Sequence, residues 1–270
     1  MLATLPFRGT TISAAIVREM VNRIINYLLI FLIFGITSTY SINTENHFNY
    51  YLIRTRWGQD NLYKKYTPNN ELLGCWSVAA AQIMFYYKML PKGIIDYKTT
   101  KGYKIYENLS LRKINLNHIV NEINSNSMQN EINATAYFLY INSIILKTDF
   151  GTGNILADIE KELPKFYKIK VKKYTTEKYN WKFIKNKIRN EMSKKRPVFL
   201  FLNANTSNGP IGHALVIDGL RETHLEFKVH LNFGSYGIKD GWYNIIKDTH
   251  SDGLTFDSWY KMILTIEPIS

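Results

Sequence analysis

The stretch GCWSVAAAQIMFYYKMLPKG, residues 74–93, decides how this chain is read. From Cys75 to Met89 it is rich in good helix formers and holds neither Gly nor Pro, while Pro91 and Gly93 supply the stop. A helix therefore begins at Cys75. The unpaired backbone N–H groups and the helix dipole at a first turn favour the thiolate, which is the nucleophilic form of cysteine. Cys75 is the only cysteine among 270 residues, so no intramolecular disulfide is possible. A lone cysteine is more often a small buried hydrophobe than a nucleophile, so the case for chemistry rests on its partners elsewhere.

Three segments offer such partners. His213 opens an apolar run behind the Gly/Pro/Asn loop TSNGPIG (206–212), where a strand-edge imidazole can reach into a cleft. Spacing alone does not prefer it over His47, His118, His224, His230 or His250. Asn232 follows a second strand-like run and precedes a Gly-rich turn. It is expected to orient an imidazole by accepting its second N–H, although an asparagine at a turn is common in its own right. Gln59 precedes Cys75 in an irregular stretch, and its amide can join the Cys75 N–H in an oxyanion hole. The chain order Gln, Cys, His, Asn carries more than any of the four, because Cys, His and Asn on separate segments is a papain-type arrangement.

Around these residues the pattern changes character once. Residues 53–74 read as extended loop with Gly58, Pro68 and Gly74; helices are expected at 115–126, 131–145 and 155–166. A strand is expected at 168–175. A helix at 181–193 places Trp181, Ile184, Ile188 and Met192 on one face. Runs of β type follow at 197–203, 213–219, 225–232, 242–246 and 260–266. Helices first and antiparallel strands later predict an α+β fold of two lobes.

Four stretches resemble the streptopain-like cysteine peptidases, a branch of the papain superfamily. They are WGQ at 57–59, the nucleophile-helix stretch at 74–93, GHALVIDGL at 212–220 and HLNFGSYGIKDGWYNI at 230–245; TDFGTGN at 148–154 is a weaker match to the family's Gly-rich loop. The resemblance runs from Trp57 to the carboxy end. It implies a papain-like fold, a helical lobe with the nucleophile helix followed by an antiparallel β-sheet lobe. It further implies a cysteine endopeptidase with Cys75 as nucleophile, His213 as base, Asn232 as orienting residue and Gln59 as oxyanion donor. Substrate contacts are expected at Trp76, Gly212, Phe233 and Gly234, and the chemistry requires neither cofactor nor metal. Where the family has His-x-Asn-Trp-Gly-Trp-Gly-Gly, this chain has Phe233 for the first Trp and Ser235-Tyr236 for the next Trp-Gly. That departure is expected to alter the cleft wall. The family usually carries a long inhibitory prosegment, whereas about a dozen residues are expected between the signal cleavage point and the catalytic domain here; the expectation is either an enzyme made without a covalent inhibitor or one restrained by a separate inhibitor protein, beside the protein or peptide substrate.

The formal charge of +12 comes from lysines scattered among apolar residues, with no basic stripe carrying a nucleic-acid motif, so nucleic acid is not an expected partner. At the amino end, residues 20–41 have signal-peptide anatomy: Arg23, an apolar run from Ile24 to Ile36, then the small residues Thr39 and Ser41. The run is short for a membrane span, so no stable span is expected and the chain is read as secreted. Residues 1–19 read as an unstructured upstream extension, 42–52 as a linker and 53–270 as the catalytic domain. Two further possibilities stand beside hydrolysis: an acyltransferase on the same fold, and a papain-like shell serving as a secreted binding or adhesion module. An uncleaved anchor at Ile24 to Ile36 would change location without changing chemistry.

Overall fold

The computed structural model describes residues 50–206, 209–245 and 260–269, without the side chains of 204–206, 209–211 and 260. The expected extension, signal segment and most of the linker lie outside the described residues, as do His47 and His250. Tyr51 and Leu52, assigned by sequence to the linker, are docked on the sheet lobe. Leu52 N–H donates to the Asp218 carbonyl at 2.8 Å, and the Tyr51 ring stacks on His230 at 4.2 Å.

Helix α1, Cys75–Tyr86, runs through the middle of the molecule and is buried along Ser77–Phe85. Ala79, Ala80 and Ala81 give it a thin waist, so it packs closely on helix α2 (Gln129–Ile145) and on the sheet. Two shorter helices follow, α3 (Ile159–Phe166) and α4 (Trp181–Ser193). Strands β1 (Ile94–Lys98) and β2 (Lys104–Asn108) form a hairpin, and β3 (Thr148–Asp149) pairs with β4 (Asn154–Ile155). The main sheet holds β5 (Ile169–Thr175), β6 (Val198–Thr206), β7 (Gly209–Glu222), β8 (Phe227–Asn232), β9 (Gly241–Tyr243) and β10 (Tyr260–Pro268). Its order is β5-β10-β6-β7-β8-β9, antiparallel at every pairing. This is the expected α+β arrangement of helices followed by an antiparallel sheet.

The continuous apolar runs of β6, β7 and β10 have a direct cause: both faces of the sheet are covered. Phe199, Ala214, Val216, Leu264 and Ile266 join the core that contains α1 and α2. Val198, Leu200, Leu215, Ile217 and Ile263 turn the other way, onto Ile184, Ile188 and Met192 of α4. Alternation along each strand therefore buries residues on both sides instead of burying one face and wetting the other.

One expected helix is absent. Residues 115–126 are not a helix: a single 3-10 turn at Leu116–His118 is followed by extended chain. Asparagine side chains close local turns, Asn115 onto Asn117 N–H and Asn124 onto Asn126 N–H, and these compete with helical bonding. The backbone between them serves tertiary partners. Trp57 Nε1–H donates to the Val120 carbonyl at 2.9 Å, and Arg56 N–H to the Asn121 carbonyl at 2.7 Å. Burial alternates at the start of both strands of the β1–β2 hairpin, inward at Ile95 and Ile105, but the exposed positions carry the apolar Ile94 and Tyr106, which mask that period in the sequence.

Candidate active site

Gly74 sits at φ +82°, outside the helix, and turns the chain so that Cys75 is the first helical residue. A side chain at that φ is strained. The Cys75 thiol is half-buried. Burial pushes its pKa up, opposed by the N–H groups of Ala214, Trp76 and Cys75 itself. Ala214 N–H reaches Cys75 Sγ at 3.4 Å, which seats the sulfur against the strand segment that carries His213. Both residues line one cleft of about 590 Å³, together with Gln59, Trp76 and Gly212.

His213 lies on β7 opposite Leu202. Its Nε2 is 3.1 Å from the Phe233 carbonyl oxygen. A carbonyl only accepts, so Nε2 carries the proton and, in the neutral ring, Nδ1 carries the basic lone pair. The Phe233 ring stacks beside the imidazole at 5.9 Å and is itself 4% exposed, so it shields this bond from water. The other described histidines are placed elsewhere. His230 is buried against Asp218, Nδ1 to Oδ1 at 2.7 Å; His118 lies near Asn115 on the surface, and His224 is exposed.

Asn232 does not bond to His213 directly, contrary to the expectation from sequence. It is 2% exposed, and its side-chain bonds all go to other groups. Asn232 Nδ2 donates to the Thr55 carbonyl at 2.8 Å, while Oδ1 accepts from Gln82 Nε2 at 2.8 Å and from Gly234 N–H at 3.0 Å. The Gly234 N–H and the Phe233 C=O belong to one peptide group. Asn232 therefore acts on the imidazole through a single peptide, polarised from its N–H side and bonded to His213 on its C=O side. Gln82, which the sequence reading passed over, sits two turns along α1 from Cys75 and is fully buried. Its signal was available: one amide within an apolar helical run.

The remaining expectations separate. Trp76 and Gly212 line the cleft, with Trp76 stacked on Phe201 at 4.3 Å. Phe233 and Gly234 are buried behind His213 and do not line it. The turn that holds their shared peptide requires both to pack inward. Opposite them, Gly151, Thr152, Gly153 and Asn154 form the other rim. Asp149 anchors that rim. Burial alone would raise its pKa, but bonds from Thr100 N–H and Oγ1, each at 2.7 Å, and from Thr152 outweigh it and hold the carboxyl below its usual range. Ser77 Oγ and Thr148 Oγ1, 2.9 Å apart, tie the rim to α1.

Asp240 braces the turn from outside, accepting Phe233 N–H at 2.8 Å. Burial pushes its pKa up to about 6, against that bond. The folded state thus holds the Asp240 proton more tightly than the unfolded chain, whose value is ~3.9. The stability it contributes is present below that value and is lost as pH rises through about 6. Asp240→Asn keeps an acceptor for Phe233 N–H and removes the titration. The fall in Tm between pH 4.5 and 7 is expected to be smaller in this variant than in the parent; an equal fall in both would mean that Asp240 is ordinary.

Comparison with known proteins agrees with this geometry. The family model "Peptidase C10 family" matches residues 57–243. Among solved structures, active wild-type interpain A cysteine protease of Prevotella intermedia superposes with TM-score 0.68 at 22% identity, covering 79% of this chain and 92% of that one. A prointerpain A fragment of the same organism superposes with TM-score 0.63 at 20% identity, covering 79% and 70%. At these identities the structures establish the fold. A search of curated proteins returned no match.

Proposed function

The chain belongs to the peptidase C10 family, the streptopain-like cysteine peptidases, and from that premise we propose how its residues divide the hydrolysis of a peptide bond. The Cys75 thiolate, its proton already held on His213 Nδ1, attacks the carbonyl carbon. The oxyanion is held by the Gln59 side-chain amide and the Cys75 N–H. The C–N bond then breaks, and the proton on Nδ1 goes to the leaving amine, leaving a thioester on Sγ. Water attacks the thioester with Nδ1 as base, releasing the acid and restoring the thiolate–imidazolium pair.

The observation that carries this reading is the bond from His213 Nε2 to the Phe233 carbonyl. It commits the ring to one tautomer and presents Nδ1 as the base, on the residue next to the N–H that seats Cys75 Sγ. The substrate is an extended stretch of protein or peptide, lying between the Gly151–Asn154 rim and the β6–β7 rim formed by Asn203 and Gly212. No described helix is long and apolar enough to cross a membrane. Secretion is supported by the anatomy of residues 20–41, and amino-terminal sequencing of the mature chain tests it.

The mechanism predicts a covalent intermediate. Acid quenching during turnover of a peptide ester is expected to trap the acyl group on the proteolytic fragment that contains Cys75, as read by mass spectrometry. An acyl group on any other residue, or none during steady turnover, would remove Cys75 from the role of nucleophile.

A further inference from the structure

Tyr236 occupies a backbone conformation, φ +60°, that bulky residues rarely adopt. Glycine would sit there without strain, so a large side chain at this position suggests a role for the side chain. Its contacts converge on one short segment. Tyr236 N–H donates to the Trp57 carbonyl at 3.0 Å. Its ring lies flat on Gly58, where even a methyl group would come within 2.4 Å of Cζ. Its hydroxyl meets the Asp60 carboxylate and accepts from Asn61 Nδ2 at 2.8 Å. Tyr63 packs against the ring at 5.7 Å.

Residues 57, 58, 60 and 61 are thus all held by one side chain and its backbone, and the residue between them is Gln59. The Gln59 carbonyl is fixed from the other side, by Leu73 N–H at 3.1 Å, just before the nucleophile helix. Tyr236 itself does not line the cleft. Its substitution for the family's glycine therefore acts behind the oxyanion segment and not on the cleft wall.

We propose that Tyr236 is a positioning residue that fixes the Gln59 amide where the oxyanion forms. The proposal rests on the reading of Gln59 as oxyanion donor. An oxyanion donor works on the transition state, so loosening it lowers kcat and leaves KM in place. Alkylation of Cys75 by iodoacetamide passes through no tetrahedral oxyanion and is blind to it.

The test is a double-mutant cycle between Tyr236→Gly and Gln59→Ala, read as kcat, KM and Cys75 alkylation rate. Tyr236→Gly suits the backbone angle and removes the ring; it is expected to lower kcat about tenfold, the scale of a small misplacement of a catalytic group. KM and alkylation should stay as in the parent, and in the Gln59→Ala background the same change should cost nothing further. Tyr236→Phe keeps the ring on Gly58 and is expected to fall between the two, which guards against a glycine variant that folds poorly. An equal kcat loss in both backgrounds, or a matching loss of alkylation, would overturn the proposal and leave Tyr236 as a general support of the fold. Full activity in Gln59→Ala alone would instead remove the oxyanion role of Gln59, and the proposal with it.

Discussion

His213→Ala is expected to reduce peptide hydrolysis by about 10⁴-fold or more in kcat, the scale seen when one member of a nucleophile–base unit is removed. The same variant should change the chemistry of the sulfur. Burial pushes the Cys75 thiol up, and three backbone N–H groups do not cancel that push. Without an imidazolium beside it, the thiol would titrate above the free value of ~8.5. Iodoacetamide alkylation, followed from pH 4 to 9, should therefore be fast at pH 5 in the parent and confined to alkaline pH in His213→Ala. Cys75 is the only cysteine, so every cysteine adduct reports on this site. Identical pH profiles in the two proteins would mean that no thiolate–imidazolium pair forms. His230→Ala provides the contrast: that ring is committed to Asp218 and should leave the profile where it was.

What could be read from the sequence, and what could not, follows from how far each signal travels along the chain. The α1 helix starts at Cys75 because of residues within one turn of it: Gly74 before and an unbroken run of helix formers after. The strand β7 announces itself by apolar residues on both parities, since both faces of the sheet are covered. Those signals are local and survived folding. Asn232 is different. Its type and its place before a Gly-rich turn pointed to the imidazole, but its rotamer is decided by Thr55 and Gln82, which are remote in sequence. A direct bond and a bond relayed through one peptide look alike in a one-dimensional reading. Tyr236 shows the same limit: as a departure from the family pattern it was visible, whereas the segment it braces is 176 residues away from it at Asp60.

The relay makes its own prediction, and it is large. Asn232→Ala leaves the buried Gly234 N–H without its partner, and leaves Gln82 Nε2 and the Thr55 carbonyl only the long 3.4 Å bond between them. At about 1–3 kcal/mol for the unsatisfied group, with two further bonds lost, a loss of roughly 2–4 kcal/mol in stability is expected. Activity in the folded fraction should fall as well, because the Phe233–Gly234 peptide loses the acceptor that polarises it toward His213. Cooperative strengthening of about 10–30% in a bond of ~1.5–3 kcal/mol to the charged ring corresponds to a rate loss of up to about fivefold. Asn232→Asp separates the relay from stability. A carboxyl group still accepts from Gly234 and Gln82, but the atom facing the Thr55 carbonyl must then carry a proton. Buried among these groups, the introduced carboxyl would hold that proton well above the usual carboxylate range. Activity relative to the parent should be nearly retained in acid and should decline as the carboxyl ionises and its second oxygen turns against the Thr55 carbonyl. A purely structural asparagine would give a loss that tracks the unfolded fraction at every pH. A loss that instead follows ionisation at constant folded fraction, measured by kcat and circular dichroism on the same samples, assigns the effect to the peptide between Asn232 and His213.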